Sequence, residues 1–591
     1  MLAASGALVL ASAASAAPLG QLDGGFAAGS PAGPGIARFQ DGTRIAAVAV
    51  GPDGKAVVVG SSGPAGSSQL FVARLNADGS PDGSFAAELP TPSQAVGDAT
   101  SLEGTGVALF ANGKLVISAT ARAAGLPDGM VAVKLNADGK RDTSFDGDGV
   151  QAVRAGFNGQ GEANAVAIAP GGGIVLGGSS VNDQTDPSPG ATVARLTSAG
   201  APDGGLGGGV RVAPGPSRIA ALRVQADGRI VAVGSQQIGQ PTLGLAVRVN
   251  ADGSPDGTFR GSGTLLEQYA VGAAFSSLND VTLLGDGRIA AAGAARQGGS
   301  VGALSLAIRL QAGGAYDAFG AGGKAYRNAS DGENFPPNVP MPGGYGIAVD
   351  GAHAYVGGTY DLGISRLSIA ALDGNGGLDG GFGAGGETKT GVQGSNSTAV
   401  RGTGVALGAA GVYVAGTATV PAGTQTYGVL ARYGAYPYSP PALPDEQGHV
   451  TPPPPPGPLG PRMSSLKLTP RTFTARTKAK LTFLLAAPGS VKYYVEKATT
   501  GRLIATGTGK ARKTTCIKQT AQNARKKRCV RYAPLPGSRT IKAKKGQNTL
   551  TLTRKVVTKV LGRGDYRLQL QATDAKGQKG NKLTMQFKVR P

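Results

Sequence analysis

The chain has 591 residues, of which 99 are Gly and 38 Pro, with two Cys, no Trp and a net charge of +22. Gly and Pro at this density interrupt helices, which excludes an ordinary helical enzyme and points to short strands joined by turns. The charge is segregated: 32 of the 58 Lys and Arg but 3 of the 36 Asp and Glu lie from Arg462 onward, so the last 130 residues carry +29 and the remainder −7.

Residues 1–17, MLAASGALVLASAASAA, join an apolar stretch to small residues, the layout of a secretory signal cleaved after Ala16 or Ala17, although no Lys or Arg precedes the apolar run. No later stretch approaches the ~20 apolar residues that span a bilayer as a helix. The expectation is a secreted protein, extracellular or in the cell envelope, with no transmembrane segment after the signal is removed.

From residue 18 to 436 the chain repeats. Each copy opens with two apolar strands around a turn, as in IAAVAVGPDGKAVVVG and IAALRVQADGRIVAVG, and the second strands close at Gly60, Ala119, Gly178, Gly234, Gly293, Gly357 and Gly416, spaced 59, 59, 56, 59, 64 and 59 apart. Pairs such as Asp53-Gly54 and Asn112-Gly113 supply the positive φ of a tight hairpin turn. A third strand follows, then a twelve-residue turn (RLNADGSPDGSF at 74–85, KLNADGKRDTSF at 134–145, RVNADGSPDGTF at 248–259), then a fourth strand such as GVQAVRAG. Four strands in about sixty residues is the size of a propeller blade.

Asp-x-x-Phe ends this turn at Asp82/Phe85, Asp142/Phe145, Asp256/Phe259 and Asp379/Phe382, with variants at Asp203/Leu206 and Asp317/Phe319. An orphan copy, Asp23/Phe26, stands at the N-terminus, and the seventh repeat stops before its own. Joining the two halves completes a ring without exposed edges, so the expected fold is all-β: a seven-bladed β-propeller closed by its N-terminal strand. These residues resemble the delta-60 repeat proteins, bacterial secreted proteins with a D-G-x-I-x-x-x-G hairpin followed by R-L-N-x-D-G-x-L-D-x-x-F-G. The resemblance covers 22–436, departs at GGG and AAG in repeats three and seven, and implies an architecture with little about activity.

Asn76, Asp78, Ser80 and Asp82 alternate as oxygen donors, a spacing that suits Ca²⁺. The other copies lose it: Lys140 takes the third position in one, and another reads Thr197, Ala199, Ala201, Asp203. Turn chemistry explains every copy, with Asn and Asp capping their own backbone and Phe plugging between blades. The two histidines, His353 on a blade strand and His449 in the Pro-rich linker, have no evident nucleophile or base partner nearby in sequence. Gly-rich runs such as GGLGGGV (204–210) follow turns and are no phosphate loop, so no cofactor is expected. Binding is expected through the longest loop departures, QGGSVGALS and residues 328–346, the latter offering Phe335, Met341 and Tyr345.

Residues 437–461 are Pro-rich and read as a spacer. From 462 to 591 clean alternation (KLTFLLA, VKYYVEKA, YRLQLQATD) reads as an immunoglobulin-like β-sandwich, similar to small modules of bacterial surface proteins. Cys516 and Cys529 form a disulfide in an exported protein. They bracket Arg525, Lys526, Lys527 and Arg528, which with Arg531, Lys542, Lys544 and Lys545 are the candidate contacts for an envelope polyanion; no motif supports specific nucleic-acid recognition. The functional expectation is a non-catalytic scaffold that binds a protein or glycan. The rival is a carboxylate-dependent carbohydrate-active hydrolase or lyase, which needs two acidic residues facing each other across the channel mouth.

Overall fold

The computed structural model describes residues 17–123, 126–153, 155, 161–181, 188–206, 208–239, 241–269, 273–297, 303–327, 346–361, 365–392, 399–419, 425–446, 463–474, 478–485, 488–506, 513–520, 523–553, 560–573 and 579–590. The loop candidates Phe335, Met341 and Tyr345, His449 and residues 1–16 lie outside them. The protein is all-β and divides into two compact units, Met1–Thr451 and Pro452–Pro591.

In the first unit the strands form six sheets, one of them eight-stranded and made of two antiparallel sets linked by a parallel pairing of Thr242 with Phe275. Seven antiparallel sets thus follow in chain order, with innermost members Thr43–Val50, Ser101–Leu109, Gly161–Ile168, Ser217–Val224, Ala273–Leu283, Gly346–Val349 and Ala399–Gly408. Each innermost strand touches the next, and Ala399–Gly408 touches Thr43–Val50. The seventh set (Ala399–Gly408, Gly411–Thr419, Thr426–Tyr433) takes Ile36–Asp41 as its outer strand, antiparallel to Thr426–Tyr433 with Ile36 opposite Ala431. The first set differs from the expected four strands: it has three. Where its outer strand would stand, Pro90 and Pro92 cannot donate to a ladder, and a single helical turn, Pro92–Ala95, forms with a Thr91/Gln94 capping box.

Packing explains the glycine that closes most second strands. In six sets the innermost strand carries a bulge, between Ile45/Ala47 and Ile219/Ala221 for example. The bulged backbone turns the carbonyls of Arg44 and Arg218 to within 1.9 Å of where a Cβ of Gly60 or Gly234 would lie. No side chain fits there, while the neighbours Val57, Val59, Val231 and Val233 are fully buried between sheets.

The twelve-residue turn packs the same way from set to set. Phe26, Phe145, Phe259 and Phe382 are fully buried, each lying against the turn glycine of the following set: Gly79, Gly200, Gly314 and Gly20. Phe85 departs from this plug role, half-buried under the Arg74 guanidinium at 4.5 Å.

The second unit is a two-sheet sandwich. Met463–Thr469, Ala479–Leu485 and Gly546–Leu552 form one sheet; the other centres on an 18-residue strand, Gly489–Thr506. That strand pairs with Gly564–Thr573 and Arg539–Ala543 near its start and with Arg528–Pro534 and Lys513–Lys518 near its end. Leu481, Phe483, Tyr493, Leu568 and Phe587, from both sheets, meet in one core.

Gly314 has φ +82° and would place a Cβ 2.7 Å from the Phe259 ring, whereas Gly66, with φ +83°, has open space. Gly314→Ala is expected to cost about 3 kcal/mol by strain plus overpacking, and Gly66→Ala about 1 kcal/mol by strain alone. Urea unfolding checks this; equal costs would contradict the packing role of the turn glycine.

Candidate functional site

The charged residues of the repeat converge on the edge where both turns of each set emerge, here called the turn face. Eight residues before each Asp, a cation folds back onto it: Arg74 Nε donates to Asp82 at 2.6 Å, Arg195 to Asp203 at 2.5 Å, Arg248 to Asp256 at 2.6 Å and Arg309 to Asp317 at 2.6 Å. A second cation, just after the hairpin turn, joins from Lys55 (2.7 Å), Lys114 (3.0 Å), Arg229 (3.2 Å) and Arg288 (2.9 Å). The other carboxylate oxygen accepts from the backbone and hydroxyl of Ser84, Ser144 or Thr258. The turn at Asp78 is likewise closed on itself, since its Oδ1 accepts from the Ser80 N–H and hydroxyl.

The same arginines bridge to the next set. Arg74 Nη1 donates to the Ala137 carbonyl and Arg195 Nη1 to that of Ala251, both at 2.7 Å, and Arg248 reaches Ala312. Arg432, in the seventh set, takes the orphan Asp23 at 2.6 Å and donates to Ala77 of the first. Backbone bonds run in parallel, from Ala27 N to Asp78 O, Ala86 N to Asp138 O and Gly383 N to Leu19 O.

Two sets break the pattern. In the second, Lys134 stands in place of the bridging arginine; in the sixth, Ala371 does. His353 fills the sixth site: its Nδ1 lies 2.9 Å from Asp350 and its Nε2 3.8 Å from Asp379. This corrects the expectation that His353 lacks an acidic neighbour; Asp350 stands three residues before it. Tyr355 donates its hydroxyl to Asp350 at 3.0 Å, and Tyr436 stacks on the imidazole with centroids 4.0 Å apart.

Tyr436 begins a segment that the sequence assigns to the spacer but which docks on the turn face through Glu446. The Ala111 N–H donates to the Pro444 carbonyl at 2.8 Å, Glu446 pairs with Lys114 at 2.6 Å and lies 3.5 Å from Lys134, and Leu443 lines a 470 Å³ cavity together with Lys55, Arg74 and Phe110.

The bulges build a second feature. Ala46, Thr105, Asn164, Ala220, Asn279 and Thr403 are the extra residues of their strands, and all six line a 140 Å³ axial cavity with Arg223 and Asp280. Asp280 accepts from the Val281 and Ile347 N–H groups at 2.8 and 2.9 Å; burial raises its pKa, against the opposing pull of Arg223. It is the one carboxylate among the described residues of that lining. At the opposite end of the sheets, Arg122 is ringed by Glu103, Asp128 and Glu162, and the last two border a 350 Å³ cavity. Burial and the neighbouring Glu162 raise the Asp128 pKa despite Arg122.

In the second unit Cys516 and Cys529 are bonded. Arg525–Arg528 are exposed on a loop whose backbone is fixed by Arg502, which donates to the Lys526 carbonyl at 2.7 Å, and by Asn523. Lys542, Lys544 and Lys545 lie at the turn beside Gly489, at the other end of the long strand. The thirteen residue steps from Ser490 to Leu503 place the two basic groups roughly 40 Å apart at about 3.3 Å per step. They are two patches, and Arg531 is half-buried beside the first.

A family model described as "Domain of unknown function (DUF5122) beta-propeller" matches residues 51–85 and 225–259, the hairpin, third strand and twelve-residue turn of sets one and four. The chain is a propeller-like repeat protein. No curated protein matches. Among solved structures, a fungal alcohol oxidase of the AA5 family, in complex with copper, is 14% identical over 94% of this chain and 98% of its own, with a TM-score of 0.34. An ulvan lyase of polysaccharide lyase family PL25 is 11% identical over 71% and 94%, with a TM-score of 0.32. Sqt1 from Chaetomium thermophilum is 13% identical over 67% and 96%, with a TM-score of 0.31. No helix among the described residues is long and apolar enough to cross a membrane.

The turn-face carboxylates set the acid limit of the fold. Burial pushes Asp142 and Asp256 up, but the Ser144 and Thr258 hydroxyls together with Lys114, Lys134 and Arg248 outweigh it, leaving both at about 2. A carboxylate lowered on folding contributes stability that is complete above its unfolded value, near 3.8, and is lost as pH falls through its folded value. Calorimetric melting temperature should stay level from neutral pH to about pH 5 and drop between about pH 4 and 2, with a smaller drop in Asp256→Asn. An identical drop in that variant would contradict the assignment.

Proposed function

We propose that the seven strand sets are the blades of a closed propeller of the delta-60 kind, completed by Ile36–Asp41, and that the protein is a secreted, non-catalytic scaffold. The observation that carries this is the use of the turn-face Asp and Arg residues between neighbours, Arg432 with Asp23 and Ala77 included. Groups held in this way position blades and are not free for acid–base work. A protein or glycan ligand then meets the loops of variable length at the opposite end of the sheets. The disulfide fits an oxidising compartment. The sandwich, read as immunoglobulin-like, holds an envelope polyanion chiefly through Arg525, Lys526, Lys527 and Arg528, whose loop is fixed in backbone and exposed in side chain.

The second reading, a carboxylate-dependent carbohydrate-active enzyme, is favoured by Asp128 and Glu162 beside their 350 Å³ cavity. Their shared partner Arg122 counts against it: its charge pairs with both carboxylates and opposes the protonation that a general acid needs, although burial and Glu162 still raise Asp128.

The full chain is expected to sediment with purified cell envelopes at low salt and to be released as salt rises, because exposed charge pairs are screened. A variant with Gln at 525, 526, 527 and 528 should remain in the supernatant. Equal pelleting of parent and variant would end the anchoring role.

A further inference from the structure

We propose that the turn face is a peptide-binding surface whose resident ligand is the chain's own segment 436–446. The partner class it fits is an extended, proline-containing segment with an aromatic residue at one end and a carboxylate about ten residues later. This goes beyond the scaffold reading, which puts the ligand at the other end of the sheets.

The segment is held at three separated points by groups that recognise chemistry. His353 receives the Tyr436 ring face to face, with 8° between planes, and the Tyr436 N–H donates to the Tyr355 hydroxyl at 3.2 Å. The cavity between sets one and two receives Leu443, with the Ala111 N–H bonded to the next carbonyl. Lys114 and Lys134 receive Glu446. Between these points the chain is extended: Pro437, Ser439 and Pro441 are exposed, while Tyr436, Tyr438 and Pro440 between them are half-buried. Four of the residues from 437 to 444 are proline. Lacking N–H groups, they cannot join a sheet ladder, so anchoring falls to side chains and end carbonyls, the manner in which surfaces take up proline-rich ligands.

The repeat pattern supplies an independent argument. The bridging cation is Arg74, Arg195, Arg248, Arg309 and Arg432 in five sets. It is Lys134 and Ala371 in the two sets where the segment's ends land. A flexible point charge in place of a committed guanidinium leaves Lys134 able to face Asp142 and Glu446 together. With Ala371, no guanidinium among the described residues pairs with Asp379, and His353 under Tyr436 takes the place. The repeat has been altered at the two contact points of the segment, which a passive linker would not require.

The 470 Å³ cavity stays open beside Leu443, which is one of its walls, so a partner with a larger apolar residue there is accommodated.

The test uses the full chain carrying Tyr436→Ala and Glu446→Gln and, as probe, a fluorescein-labelled peptide of residues 435–446, AYPYSPPALPDE. By anisotropy the variant should bind the probe at least tenfold more tightly than the parent, whose own segment competes at an effective concentration on the order of millimolar. A probe with Glu446→Lys should lose about tenfold in affinity to the variant, a charge-pair effect of about 1.4 kcal/mol. Absence of binding to the variant, or equal binding of both probes, overturns the proposal. Amide exchange in the parent gives a second arm that needs no variant. About 0.5 M salt should speed exchange at Ala111, bonded to Pro444, by weakening the Glu446 pairs. The Phe110 amide, bonded to Lys114 within its hairpin, should be unaffected. Equal response at both amides means the segment is part of the fold and no separable ligand.

Discussion

One interaction recurs through the first unit and governs the rest: a carboxylate at the end of the third-strand turn, gripped by the cation eight residues earlier, which then reaches the neighbouring set. Arg248 and Asp256 have side chains only 5% and 3% exposed, so neither charge would be tolerated without the other. The arrangement makes each set's turn a socket for its neighbour. It explains why the turn glycine admits no side chain and why the Phe of the preceding set is buried against it. A repeat built this way is incomplete alone, and its exposed end is a liability until another copy of the same turn meets it.

The inner strands solve a different problem. In six sets a bulge tightens the inner strand and re-aims one side chain toward the cavity, and opposite it Gly60 and Gly234 have no room for a side chain. Four of the six re-aimed residues are Thr or Asn, so the axial lining is polar by the same backbone event that shapes the sheet. The turn face is organised by ion pairs and carries the chain's own segment 436–446; in the proposed function, an external ligand meets the opposite loops and the basic loop of the sandwich.

Much of the architecture was legible in the sequence because it rests on local rules. Asp-Gly and Asn-Gly pairs mark hairpins, alternation marks the sandwich, and the orphan Asp23/Phe26 announces the pairing of Ile36–Asp41 with Thr426–Tyr433. The Arg–Asp pairs were also within reach, since the first and ninth residues of RLNADGSPD carry opposite charge in most copies; the turn explanation, which is true of Asp78, obscured it. Pro90 and Pro92 likewise marked the missing strand of the first set. Other features had no local signal. A one-residue bulge does not disturb apolar periodicity enough to be seen, and proline-rich composition reads as spacer whether or not it docks. Arg528 and Lys542, fourteen residues apart in sequence, gave no hint that an 18-residue strand holds their groups at opposite ends. His353 shows no partner in the sequence pattern because Asp350 stands at a hairpin turn, where a carboxylate reads as a cap; it accepts from the His353 backbone and faces the imidazole as well.

The central claim is that the bond between Arg432 and Asp23 is the same inter-repeat lock made between the last and the first parts of the repeat region. A double-mutant cycle with Arg432→Met and Asp23→Asn, read by urea unfolding of the first unit, addresses it most directly. The account predicts that each single change costs on the order of 3 kcal/mol, by stranding a largely buried charge, and that the pair costs far less than their sum. Additive costs of a few tenths of a kcal/mol each, the behaviour of an exposed surface pair, would contradict it.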